Sequence, residues 1–120
     1  MPNYVDGFVL VVPQKNVRAY RAMAQKAGRI WKGYGALEYM ECQGDDLQTK
    51  WGIPFPRLMK LKRGETVFFS FIVYKSRADR NRVNKLVMKD PRIAAMMKKG
   101  KEPFDMKRMA YAGFKAVVQY

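Results

Sequence analysis

The sequence predicts an α+β domain of the ferredoxin-like class, with the order β-α-β-β-α-β and an antiparallel sheet covered by helices on one face. Three observations carry this. Apolar runs of strand length alternate with segments of helical period in that order along the 120 residues. The most apolar run, Thr66–Tyr74, is rich in β-branched and aromatic residues and reads as a strand. Both of its parities are apolar: Val67, Phe69, Phe71 and Val73 on one side, Phe68, Ser70, Ile72 and Tyr74 on the other. A strand with one face in water alternates with polar residues, so this one needs cover on both sides.

The elements follow in order. Tyr4–Val12 reads as the first strand, ended by Pro13, which cannot donate to a ladder. From Gln14 or Asn16 to Lys32, Val17, Tyr20, Ala24, Ala27 and Trp31 recur at helical spacing. Gly33 and Gly35 end that helix. Ala36–Gln43 reads as the second strand, closed by Gly44-Asp45-Asp46. The connection Gln48–Pro56 has no clear period, and its Trp51, Ile53 and Phe55 need cover from this subunit or another. Leu58–Lys62 is a candidate short strand, turned by Arg63-Gly64-Glu65 into the central one. Ser76 is placed to cap a helix reaching about Lys89, with Ala78, Val83, Leu86 and Val87 on its buried side and its Arg and Lys residues in water. Asp90-Pro91 breaks it and opens an extra short helix, Arg92–Lys99. Met109–Val118 reads as the last strand.

The length fits a single domain spanning residues 1–120. The composition, 48% hydrophobic and 13% aromatic, fits a folded chain. No apolar run reaches the roughly 20 residues of a membrane span, and the N-terminus lacks the pattern of a signal peptide. With a lone cysteine, Cys42, these features point to a cytoplasmic protein with no membrane partner. Histidine is absent, which removes Ser-His-Asp and Cys-His catalysis and any His-containing metal site. No metal site and no cofactor is indicated. Cys42 lacks a histidine base and reads as a small buried residue, and Asp45 and Asp46 read as solvated turn residues.

Helices cover only one face of a ferredoxin-like sheet. The other face of this one is apolar, and soluble monomers rarely expose such a patch. Two copies packed sheet to sheet solve the problem, which implies a homodimer. Which parity of Thr66–Tyr74 meets the partner stays open at this point.

Several runs stand in order along nearly the whole chain. They are Tyr4-Val5-Asp6-Gly7-Phe8-Val9, Gly35-Ala36-Leu37, Glu41-Cys42 with Asp45-Asp46, Phe55-Pro56-Arg57, Glu65-Thr66-Val67 with Phe69-Ser70, Asp90-Pro91-Arg92, and Pro103-Phe104-Asp105 with Lys107-Arg108-Met109. Together they resemble the YbaA-like family of bacterial proteins of unknown function. The resemblance implies a ferredoxin-like subunit forming a dimeric α/β barrel and implies no established activity. Met106 and Ala112 stand where the family pattern has glycine.

The candidate chemistry centres on Asp6, an acid in an otherwise apolar strand, and the candidate catalytic residue if there is a reaction. Arg108 is its expected structural partner. Asp6, Phe8, Glu41, Arg108 and Tyr111 are the candidate ligand-binding residues, with Arg108 suited to hold a carboxylate or phosphate. The expected ligand is small, anionic or aromatic, held between the two sheets or between sheet and helices. No feature identifies a reaction, so whether the chain is an enzyme is open.

The alternative comes from charge. Twenty-four Lys and Arg against ten acids give +14, which attracts polyanions. The RNA-recognition motif shares the element order, but Arg63-Gly64-Glu65 places an acid where its first aromatic belongs. A nucleic-acid partner is therefore expected on phosphate contacts alone, from Arg77, Arg80, Arg82, Lys85, Lys98, Lys99 and Lys101. A third reading is a structural homodimer with no ligand, its inter-sheet space filled by side chains.

Overall fold

The computed structural model describes residues 2–98 and 102–120. Its elements are β1 (Tyr4–Pro13), a 3-10 turn at Gln14–Asn16, α1 (Val17–Tyr34), β2 (Glu38–Gln43), α2 (Phe55–Leu58), β3 (Glu65–Tyr74), α3 (Arg77–Met88), α4 (Pro91–Met96), a second 3-10 turn at Met106–Arg108, and β4 (Ala110–Lys115). The strands form one antiparallel sheet in the order β2-β3-β1-β4, the ferredoxin-like arrangement.

Leu58–Lys62 is not a strand. Pro54 and Pro56 favour a turn of helix there, and the backbone makes one over Phe55–Leu58. The second and last strands are shorter than the sequence suggests, because ladder pairing, not apolar content, sets their ends. The starts of α3 and α4 follow capping residues. Ser76 Oγ accepts from the Asp79 amide at 3.1 Å. Asp90 accepts from the Arg92 amide at 2.8 Å, with Pro91 in the first turn of α4. Gly35, at φ 121°, turns the chain out of α1 as only glycine does without strain.

The register settles the parity of β3. Phe68, Ser70, Ile72 and Tyr74 lie beside Leu10, Phe8, Asp6 and Tyr4, and this inner face meets the helices. Two buried clusters fill the interface. Ile72 and Tyr74 pack with Ile30, Val83, Val87 and Ile93. Leu10, Val12 and Phe68 pack with Tyr20 and Ala24. On α3, Val83 and Val87 are buried as expected, while Ala78 and Leu86 remain exposed.

The outer face carries Val5, Val9, Phe69, Phe71, Met40 and Phe114. Within one chain Phe69 stays 45% exposed, Met40 47% and Phe114 58%. Trp51, Ile53, Phe55 and Leu58, on the arm between β2 and β3, are also exposed. The cover that the sequence demands for these residues is not supplied by the described residues of this subunit.

Candidate functional site: a cavity between sheet and helices

A cavity of about 400 Å³ lies between the inner face of the sheet, α1, α3, α4 and the segment leading into β4. Its floor comes from alternate residues of adjacent strands, which a pleated sheet presents on one side. Phe8 and Ser70 lie mid-floor, with Asp6 toward one end and Glu41 at the edge strand. By ideal sheet spacing the Cα atoms of Asp6 and Glu41 are about 12 Å apart. They do not form a carboxylate dyad.

Asp6 is 1% exposed. Its Oδ1 lies 3.2 Å from Arg80 Nε, yet the N–H does not point at it, so charge rather than a hydrogen bond holds the pair. Asn84 Nδ2 donates to Asp6 Oδ2 at 3.3 Å. Asn84 Oδ1 in turn accepts from the Tyr74 hydroxyl at 2.9 Å and from Trp31 Nε1 at 3.0 Å. Arg80 also donates to the Tyr4 hydroxyl at 3.3 Å and lies over the Tyr4 ring, 4.9 Å from its centre. This network ties β1 to α3 and α1. Burial, and then the charge of Asp6, pushes the Tyr74 and Tyr111 phenols above their ordinary range.

Glu41 has different surroundings. The Tyr20 hydroxyl donates to Oε1 at 2.7 Å and the Tyr39 hydroxyl to Oε2 at 2.9 Å. No cation forms an ion pair with it among the described residues. Burial raises its carboxyl above the usual range, against the hydrogen bonds from Tyr20, Tyr39 and Ser70 that pull it down. Burial and the Glu41 charge raise the two tyrosines as well. The Tyr39 ring reaches this position because Gly28 leaves room for it. A Cβ on Gly28 would stand 2.8 Å from the ring.

The structure brings Asp6, Phe8, Glu41 and Tyr111 together around this cavity, with Tyr111 stacked on Phe8 at 4.8 Å between ring centres. Arg108 is elsewhere. It holds Glu65 with two bonds, at 2.7 and 3.0 Å, and donates to the carbonyls of Met59 and Lys60. The partner of Asp6 is therefore Arg80, because the register brings Asp6 to the α3 side of the sheet while Arg108 lies beyond the start of β3.

The sequence reading missed the methionines. Met23, Met88, Met96, Met97, Met106 and Met109, six of the nine in the chain, line the cavity. Their high count was the available signal, since methionine fills irregular apolar space. It missed Tyr20 and Trp31, whose polar tips were hidden in an apolar helical stripe, and Tyr39, which shares a strand face with Glu41.

The basic residues divide. Arg80 is half-buried against Asp6, not in water. Arg82 pairs with Asp79 at 2.8 Å. Arg77, Lys85 and Lys98 are exposed, and Lys99 and Lys101 fall outside the described residues. Cys42 sits half-buried on the outer face opposite Phe69. Among the described residues no cluster of acids and thiols is placed to hold a metal ion, and no helix is long and apolar enough to cross a membrane.

The fold recurs in solved structures. A dimeric ferredoxin-like protein from an uncultured marine organism superposes with a TM-score of 0.64 over 100% of both chains, at 10% identity. A putative antibiotic biosynthesis monooxygenase from Nitrosomonas europaea gives 0.64 at 12% identity, covering 96% of this chain and 90% of that one. A nipsnap family protein from Agrobacterium tumefaciens gives 0.58 at 14% identity, covering 96% and 88%. At these identities the likeness is one of fold. Sequence relatives are nearer. The uncharacterized protein YbaA of Escherichia coli K12 is 41% identical over 115 residues, 96% of this chain and 97% of that protein. The Shigella flexneri YbaA matches to the same extent. The model of a protein family of unknown function, DUF1428, matches residues 3–106. The chain belongs to this DUF1428 family, to which its YbaA-like sequence runs had pointed.

Proposed function

We propose that the protein is a homodimeric small-molecule binder, paired through the outer face of its sheet, with one ligand cavity in each subunit between sheet and helices. The observation that carries the ligand reading is the cavity itself. Its volume, about 400 Å³, falls in the range of about 300–1,000 Å³ typical of ligand sites. Its walls are aromatic and thioether groups, with few polar atoms among them.

The chemistry of the walls narrows the ligand. The charged side chains lining the cavity are Asp6, Glu41 and Glu102, and no Lys or Arg lines it among the described residues. An anion fits poorly against carboxylates. The ligand is a neutral, largely aromatic molecule with a hydroxyl or N–H that donates to Glu41, which forms no ion pair among the described residues. Asp6 serves the fold through Arg80 and Asn84. The cavity opens on the helix side of the sheet, so the space between two sheets is free to be filled by side chains.

Two observations support the dimer. The outer face and the arm leave large apolar side chains in water. Two of the similar solved structures are described as dimeric ferredoxin-like proteins. A second copy covers Phe69, Phe71 and Phe114 with the same residues of its own, and a stable interface of this kind buries about 1,200–2,000 Å².

N-phenyl-1-naphthylamine, a neutral aromatic amine that fluoresces in apolar surroundings, tests the ligand reading. One molecule is expected to bind per subunit, and Ala27→Phe, which fills the cavity from α1, is expected to abolish binding. No binding, or binding unchanged in Ala27→Phe, contradicts it.

A further inference from the structure

The other large concavity is a groove of about 970 Å³ between α1 and the edge strand β2, on the helix side and away from the outer face. Arg18, Arg21, Gln25, Arg29 and Lys32 line it. They recur at helical spacing and make one stripe, and from Arg18 to Lys32 the helix rises about 21 Å. Helix α1 carries five cations and no acid.

Four arginines elsewhere in the protein are engaged by acids, and among the described residues the cations of this stripe are not. Arg80, Arg82, Arg92 and Arg108 are each paired with an acid. Arg18, Arg21 and Arg29 are exposed and make no ion pair among the described residues. Lys32 is exposed, donates to the Leu37 carbonyl at 2.8 Å and makes no ion pair among the described residues. Among the described residues the one acid lining the groove is Glu41, at its floor with two tyrosyl hydroxyls donating to it. The excess charge of the chain thus has a linear focus on α1, not on α3, where the sequence had directed attention.

We propose that this stripe binds the phosphodiester backbone of a nucleic acid without reading its sequence. Guanidinium forks match phosphate oxygens, and a row of cations fits a linear polyanion better than a single phosphate, which needs donors converging on one point. The groove offers no platform for bases. Tyr20, on the inward side of α1, and Phe68, on the sheet beneath it, are buried, and the Tyr39 hydroxyl is held by Glu41. A membrane surface fits less well. The apolar residues of α1, including Tyr20, Ala24 and Ile30, are turned into the core and leave no apolar face to insert. The inference does not depend on the cavity or its ligand.

The test is fluorescence anisotropy of a labelled single-stranded oligonucleotide of mixed sequence, in DNA and RNA form, across about 50–200 mM salt. Binding at 50 mM is expected, with log K falling against log salt at a slope near −3, the value for about four cations on a single strand. R21Q and R29Q are each expected to reduce the slope by about 0.7, and R18Q/R21Q/R29Q to reduce it by about 2 with at least a tenfold loss of affinity at 50 mM. R77Q/K85Q, on α3, is expected to change neither. These are exposed side chains, and an unchanged melting temperature for each variant confirms that the fold is retained. Absence of binding at 50 mM overturns the proposal. So does an equal loss in R77Q/K85Q, or binding to phosphatidylserine vesicles in place of the oligonucleotide.

Discussion

The two faces of the sheet reverse the usual association of polar with outside. The inner face carries Asp6, Glu41 and Ser70 and is covered by helices. The outer face is apolar from Val5 to Phe114, with Glu38 at its rim, and much of it is open to solvent in a single chain. The inner polar groups are tolerated because they have partners: Arg80 and Asn84 for Asp6, Tyr20 and Tyr39 for Glu41. The outer face has no such reason to be in water. The contrast teaches that a buried polar group is kept where it has partners, while an apolar face left in water calls for cover from another surface.

Breaking the outer face has the largest expected effect. Phe69→Glu places a charge amid the exposed apolar patch, and the dimer dissociation constant rises about a hundredfold or more, each 1.4 kcal/mol being tenfold. Light scattering then reports one chain at micromolar concentration, with near-native circular dichroism, because Phe69 is already 45% exposed in the single subunit.

The inner face responds in stability instead. Asp6→Ala leaves Arg80 without its counter-charge and lowers unfolding free energy by about 3 kcal/mol, the low end for breaking a buried pair, because the Arg80 side chain retains 19% exposure. Urea denaturation measures this, and the dimer persists below the transition. Equal loss of stability and dimerisation at native conditions makes the two faces one unit and breaks the contrast.

A smaller effect is expected at the Glu41 end. Gly28→Ala drives a methyl toward the Tyr39 ring and costs about 1–3 kcal/mol, since the ring turns only by giving up its bond to Glu41. Binding of N-phenyl-1-naphthylamine weakens in parallel.

The smallest is a pH effect. The folded carboxyl of Glu41 is raised, mainly by burial, so the folded state binds its proton more tightly than the unfolded chain does. Ionisation therefore opposes folding above the unfolded carboxyl value of about 4.3, and the penalty is absent well below it. Glu41→Gln raises the melting temperature at pH 7, and the gain disappears below about pH 4. A gain that persists in acid assigns the effect to packing rather than charge.

How far the sequence carried this reading is clearest at β3. The need for cover on both faces of Thr66–Tyr74 was legible, because no polar alternation interrupts it. Its orientation was not, since both parities are apolar and only the pairing with Asp6 on β1 and Glu41 on β2 identifies the inner one. Four of five ligand-site candidates share the cavity because period-two alternation puts them on one face. Arg108 was misplaced because charge complementarity with Asp6 is blind to distance. Glu65 answers to the same rule and is nearer. Arg80 was read as wet because its neighbours on α3 are, yet a long stem reaches from a helix flank to a buried acid.

The central claim is that the outer face belongs to a second subunit while the inner face keeps its cavity. Light scattering on the intact chain at micromolar concentration tests it most directly. The account predicts twice the 14.0 kDa of one chain. A mass of one chain contradicts it.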